Sequence, residues 1–168
     1  MNPPESNEYA PYYSTYVDTV SENVMGELEH QATAFPEFLK SISEEKAFYA
    51  YADGKWTIKE IVGHLIDTER IMSYRALAIS RKDKTLLPGF DENEYVKNAC
   101  FNDRSLNSLA DEFAAVRKSN MFLFKSFSEE DLSSMGTASE KNVSVKALLY
   151  IIAGHLNHHK NIITERYL

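Results

Sequence analysis

Four segments of about twenty residues repeat apolar side chains every three to four positions, and that periodicity restricts the fold of this chain more than any other feature. The first runs from about Ser21 to Ser41 and brings Val24, Leu28, Gln31, Phe35, Phe38 and Ile42 to one side, with Pro36 predicting a kink or break inside it. The second has the clearest start. Thr57 followed three residues later by Glu60 is a capping box, and the stripe Ile58, Ile61, Leu65, Thr68 and Met72 continues to about Ser80. The third begins near Ser105 and carries Leu106, Leu109, Phe113, Val116, Asn120, Leu123 and Phe127. Ser144 caps the fourth, whose face holds Val145, Leu148, Ile152, His155, His159 and Ile162.

No stretch shows two-residue alternation with hairpin signals, so the periodicity predicts an all-α fold, a four-helix bundle over residues 21–168. Residues 1–20, with Pro3, Pro4, Pro11 and the tyrosines Tyr9, Tyr12, Tyr13 and Tyr16, are expected as an extended N-terminal tail along or fraying from the bundle. The link from Lys82 to Arg104 holds a candidate short extra helix at Asp91–Val96 and is long enough to cover one end of the bundle and shape a pocket. An up-down-up-down order and an order with one long crossover are both compatible with this pattern.

The 168 residues carry 18 Lys and Arg against 25 Asp and Glu, and the resulting formal charge of −7 argues against a nucleic-acid partner, which needs clustered cations. The single cysteine, Cys100, excludes an intramolecular disulfide and any cysteine-rich metal site. The N-terminus has neither the basic nor the apolar region of a secretory signal, and the apolar run Leu148–Gly154 is far too short to span a bilayer. The expectation is a cytoplasmic protein with no membrane partner, with a homodimer compatible with exposed helix faces.

Three of five histidines, His155, His158 and His159, fall within five consecutive residues. His155 and His159 are four apart, one above the other on the helix face that also carries Leu148 and Ile152, and so point into the bundle. That spacing lets two imidazoles converge on one ion. His158 is the rival second ligand, placed at the margin of the face as a pocket residue. His64, in the second helix's apolar stripe, supplies the third imidazole from a facing helix. Three histidines leave a coordination position for a reacting group. The same residues are also compatible with a hydrogen-bonded core without metal. Leu156 stands where a zincin needs its glutamate, and Ile61 and Ile152 stand where di-iron bundles need theirs, so both classes fail. There is no nucleophile-elbow or glycine-rich phosphate motif.

The run Gly54-Lys55-Trp56-Thr57-Ile58-Lys59-Glu60 with His64 through Arg70 resembles the first metal motif of DinB/YfiT-like proteins. Leu87 to Asp91, Glu112-Phe113 to Arg117, and Ala153 through His159 to Leu168 continue the resemblance across nearly the whole chain after the tail. The resemblance implies a four-helix bundle holding a divalent metal ion (zinc, nickel or iron) on His64, His155 and His159. It also implies a metal-dependent enzyme acting on a small-molecule substrate. Some relatives are S-transferases that use a low-molecular-weight thiol such as bacillithiol or mycothiol, and many are described as metal-dependent hydrolases. A metal-bound thiol or water would then serve as the nucleophile. Asp67, one turn from His64, is the candidate catalytic carboxylate, able to orient an imidazole or accept a proton, against its reading as a helix-surface carboxylate. Arg75 shares the His64 row and is placed either to bind an anionic substrate group or to form a salt bridge. Glu69 and Arg70 read as surface or inter-helix salt-bridge residues, Trp56 as an anchor of the bundle end, and Tyr95 as a pocket-lining residue of the link. The competing reading is a non-catalytic metal-binding or small-molecule-binding bundle.

Overall fold

The computed structural model describes residues Met1 to Leu168. The N-terminal stretch is not extended throughout: a 3-10 turn at Pro11–Tyr13 leads into α1, Ser14–Val17. Pro11 opens this turn because its fixed φ suits a first helical position. Ala10, Val17 and Val20 are buried, so the segment lies along the bundle as part of its core.

The first long helix, α2, spans Val24–Lys40 and runs through Pro36 without ending. Pro36 is buried, and its contacts there offset the lost backbone hydrogen bond that a helix-interior proline entails. A short α3, Glu44–Ala47, precedes α4, Ile58–Ser80, whose Thr57–Glu60 capping box forms with both reciprocal bonds in place. The candidate helix in the link is α5, Glu92–Ala99, with Asp91 accepting from the amides of Asn93 and Glu94. Next come α6, Leu106–Lys125, capped by Ser105, and a single turn α7, Glu129–Leu132. The last helix, α8, covers Val145–Arg166 and starts where the Ser144 hydroxyl accepts from the Ala147 amide.

The fold is the expected all-α bundle, with one short element that nothing in the sequence foretold. Residues Met135–Ala138 (β1) and Lys141–Ser144 (β2) pair antiparallel around Ser139 and Glu140. Both turn residues have positive φ, 51° and 63°, as the two-residue turns that match strand twist require. Asn-Gly or Asp-Gly would have announced such a turn; Ser-Glu does not.

The four long helices form a ring in the order α2, α6, α4, α8. Consecutive α2 and α4 therefore lie on a diagonal, as do α6 and α8, which settles the topology in favour of crossover links over a simple up-and-down order. Helices α4 and α8 are neighbours, and α1 lies against α8.

Two apolar bodies make up the core. One joins Val17, Val24, Leu28, Met72, Ile79, Val145 and residues Ala147–Ala153; the other joins Phe35, Leu39, Ile58, Ile61, Val62, Leu65, Ile66, Leu109, Phe113, Leu156 and Tyr167. The first half of α8 and the second half of α4 belong to one body, and the opposite halves to the other, so the two helices run antiparallel. Between the bodies lies a belt of buried polar side chains.

At its centre is Arg117, fully buried, with Nε donating to Glu69 Oε1 at 2.7 Å and a terminal nitrogen to Oε2 at 3.0 Å. Its other terminal nitrogen donates to Gln31 Oε1 at 2.8 Å, and Gln31 Nε2 in turn donates to the Ala153 carbonyl at 3.0 Å and Asn157 Oδ1 at 2.9 Å. A buried ion pair is tolerated only when its remaining hydrogen-bond capacity is filled. Here the filling partners come from all four helices, so the network fixes their mutual register.

Candidate metal centre

The facing positions predicted for the histidines are realised where α4 and α8 cross the polar belt. His64 and His155 are buried and His159 is half-buried. The Nε2 atom of His155 lies 3.1 Å from His64 Nε2 and 3.1 Å from His159 Nε2. A ring nitrogen carries one in-plane lone pair or one hydrogen, so one full hydrogen bond accounts for one of these contacts and leaves the other unexplained. Three nitrogens each about 2.0–2.1 Å from a common cation would be separated by roughly this spacing, and such an ion accepts all three lone pairs. The donor set fits a divalent metal.

Burial also keeps the imidazoles in the form that binds metal. Desolvation lowers the pKa of His64 to about 4 and, with the nearby His64 and His158 rings, that of His159 to about 3. His155 is pushed well below the ordinary value, first by burial and then by its histidine neighbours. All three rings are therefore neutral at pH 7 with lone pairs free. Thr68 Oγ1 sits 3.4 Å from His64 Nδ1, while His159 Nδ1 is buried without a protein partner.

A cavity of about 520 Å³ opens over the triad. The row His64, Thr68, Met72 and Arg75 of α4 lines one side, His155, His158 and His159 of α8 another, and Tyr12, Tyr13 and Tyr16 of the N-terminal segment close it. The Tyr16 ring meets His155 and His158 edge-on, with ring centres 5.2 Å away in each case. Phe90 and Glu92 come from the link, which thus shapes the pocket as its length predicted.

The other candidates separate cleanly. His158 lines the cavity but stays outside the group of converging nitrogens. His30 is exposed on α2. Asp67 is half-buried and 3.7 Å from Arg70, beside Glu112, and does not line the cavity. Burial raises its pKa, with Arg70 opposing the shift and Glu112 adding to it. Glu69 forms an inter-helix pair, but a buried one, and Arg70 pairs with Glu112 of α6 at 2.6 Å. Trp56 anchors the bundle end, its carbonyl accepting from the Tyr167 hydroxyl at 2.6 Å, and its ring also lies against His64 on the cavity wall. Tyr95 lines a shallow neighbouring groove with Tyr74 and Phe90, not the histidine cavity. Sequence reasoning missed the three tyrosines of the N-terminal segment as cavity walls.

A model of the DinB superfamily matches residues 27–163. The chain belongs to the DinB superfamily. This DinB protein is also similar in structure to YfiT from Bacillus subtilis, described as a probable metal-dependent hydrolase with an unusual four-helix bundle topology. That match covers 96% of this chain and 89% of YfiT with a TM-score of 0.68 at 16% identity, a likeness of fold. No curated protein matches the sequence. No helix is long and apolar enough to cross a membrane.

Proposed function

We propose that this DinB protein is a divalent-metal-dependent enzyme that transfers a low-molecular-weight thiol to a small-molecule electrophile. The observation that carries the metal reading is the convergence of His64, His155 and His159 through their Nε2 atoms in the floor of a cavity. A divalent ion held by His64, His155 and His159 would lower the pKa of a bound thiol or water and so supply a nucleophile at neutral pH. The chain's own residues do the rest. Met72 and Ile151 add apolar side chains to a wall that also carries tyrosine, threonine and histidine groups. Thr68 lies within reach of His64 Nδ1 and helps fix that ring's orientation. The Tyr16 hydroxyl, its pKa raised by burial and by Glu92, remains protonated at neutral pH as a hydrogen-bond donor.

Thiol transfer is placed ahead of hydrolysis because some members of the DinB/YfiT-like family that the motifs resemble use such thiols; the description of YfiT favours the hydrolase as the second reading. The test begins with metal analysis of protein purified without a histidine tag. About one divalent ion per chain is expected, falling to background in His64→Ala, His155→Ala and His159→Ala and retained in His158→Ala. The loaded protein is then assayed against a matrix of thiols, electrophiles and hydrolysable esters and amides. Thiol-dependent turnover supports transfer; turnover without thiol establishes the hydrolase. Metal binding with no turnover in either set would overturn the enzyme and leave a binding bundle.

A further inference from the structure

Three cationic side chains are buried in this protein: Lys59, Arg75 and Arg117. Lys59 is paired with Glu44 at 2.9 Å and Arg117 with Glu69 at 2.7 Å. Arg75 is only 3% exposed and has no carboxylate partner. One terminal nitrogen donates to both the Pro88 carbonyl at 2.7 Å and the Ser139 hydroxyl at 3.0 Å, and the other faces Met72 Sδ at 3.5 Å. A guanidinium has five N–H donors, so hydrogen-bonding capacity remains, and it faces the cavity that holds the histidine triad. Burying an uncompensated charge is costly. The hairpin turn at Ser139 and the link at Pro88 hold the guanidinium in place by neutral contacts, and neither neutralises it.

We propose that Arg75 binds a carboxylate of the substrate or thiol, whose reacting end lies at the triad. This rests on the metal reading for what occupies that far end. A carboxylate fits better than a phosphate dianion because Arg75 is the only Lys or Arg lining the cavity and Glu92 stands at its rim. The helix supplies the length. Eleven residues separate His64 from Arg75 on one face of α4, about 16 Å between backbones. The Arg75 guanidinium leans back a turn to Met72, so the two ends of the ligand are on the order of 10 Å apart. The cavity therefore selects an elongated molecule with an anionic end and a metal-seeking end.

The test uses linear thiols that differ only at the far end. Cobalt-loaded protein is titrated with mercaptohexanoate, mercaptohexanol and mercaptoacetate, following the thiolate-to-cobalt absorption. Mercaptohexanoate is expected to bind about tenfold or more tightly than mercaptohexanol, the discrimination of a buried charge-assisted hydrogen bond. The short acid gains no such advantage. Arg75→Gln is expected to bring the ratio of acid to alcohol to about one, and Arg75→Lys to restore part of the preference for the acid. Equal affinities of acid and alcohol in the unsubstituted protein would overturn the assignment with the metal reading intact. Failure to form any cobalt complex would overturn the metal reading instead. Arg75 is then decided in the metal-free protein, whose Arg75 Nε–H resonance must shift with mercaptohexanoate and not with mercaptohexanol; an unmoved resonance refutes the site.

Discussion

Gly154 is the position where one added methyl group tests how tightly the N-terminal segment closes the site. A Cβ there would stand 2.1 Å from the Tyr16 carbonyl oxygen and 2.5 Å from its carbon. Normal contact needs about 3.2 Å, so α1 must retreat by roughly 1 Å. The carbonyl has no easy way to turn aside, because it accepts from the Thr19 amide at 3.0 Å and the Thr19 hydroxyl at 2.7 Å. Val17 and Val20 tie the segment into the apolar body beside α8. Overpacking of this kind costs about 1–3 kcal/mol, and alanine in a helix interior returns up to about 1 kcal/mol relative to glycine. Gly154→Ala is therefore expected to lower stability by about 1–2 kcal/mol in urea unfolding at an unchanged m value. Proteolysis within residues 12–19 should accelerate at the same time. A variant as stable as the parent, or more so, with the N-terminal segment equally protected, would refute the tight docking on which the closed cavity depends.

Two further outcomes follow from the buried groups. Arg117→Met strands the Glu69 carboxylate and is expected to cost about 3–5 kcal/mol, read by urea unfolding; the double variant with Glu69→Gln should recover part of the loss, and additive losses would refute a coupled pair. The second concerns pH. His64 has a folded pKa of about 4 against an ordinary 6.5, so between these values the unfolded chain binds protons that the folded one refuses. Stability of the metal-free protein is thus complete above pH 6.5 and falls as pH drops from 6.5 toward 4. Chelator-treated protein unfolded in urea at a series of pH values should show this slope, and His64→Leu should reduce it, leaving the part carried by His155 and His159. A midpoint constant across that range would refute the buried neutral imidazole.

The long helices were legible because each start carries its own chemistry. Thr57, Ser105 and Ser144 all accept an amide three residues on, as their positions before apolar stripes foretold. The histidine triad was legible for the same reason: spacing of four on α8 needs no tertiary information, and His64 needed only a facing helix. What failed was set by contacts between distant segments. Pro36 continues α2 because it is buried there, and the crossover ring order depends on which faces meet. The Ser139-Glu140 turn lacks glycine or asparagine, so nothing local marked the hairpin that supplies a ligand to Arg75. Arg75 itself stood open between an anion site and a salt bridge, and only the three-dimensional arrangement shows that no acid accompanies it.

The position of α1 against α8 also orders events during synthesis. The segment carrying Tyr12, Tyr13 and Tyr16 leaves the ribosome long before the helix it rests on, and the imidazole of His64 precedes those of His155 and His159. His64 waits on α4 with no partner until then. The cavity cannot form before α8 is made, since its cover comes from residues 12–16 and two of its three imidazoles from α8. A translating chain of this kind offers a passing metal ion a single imidazole on α4 until α8 emerges. The ion therefore meets its complete donor set only once α8 has packed against α4, which makes occupancy of the site a report of that docking.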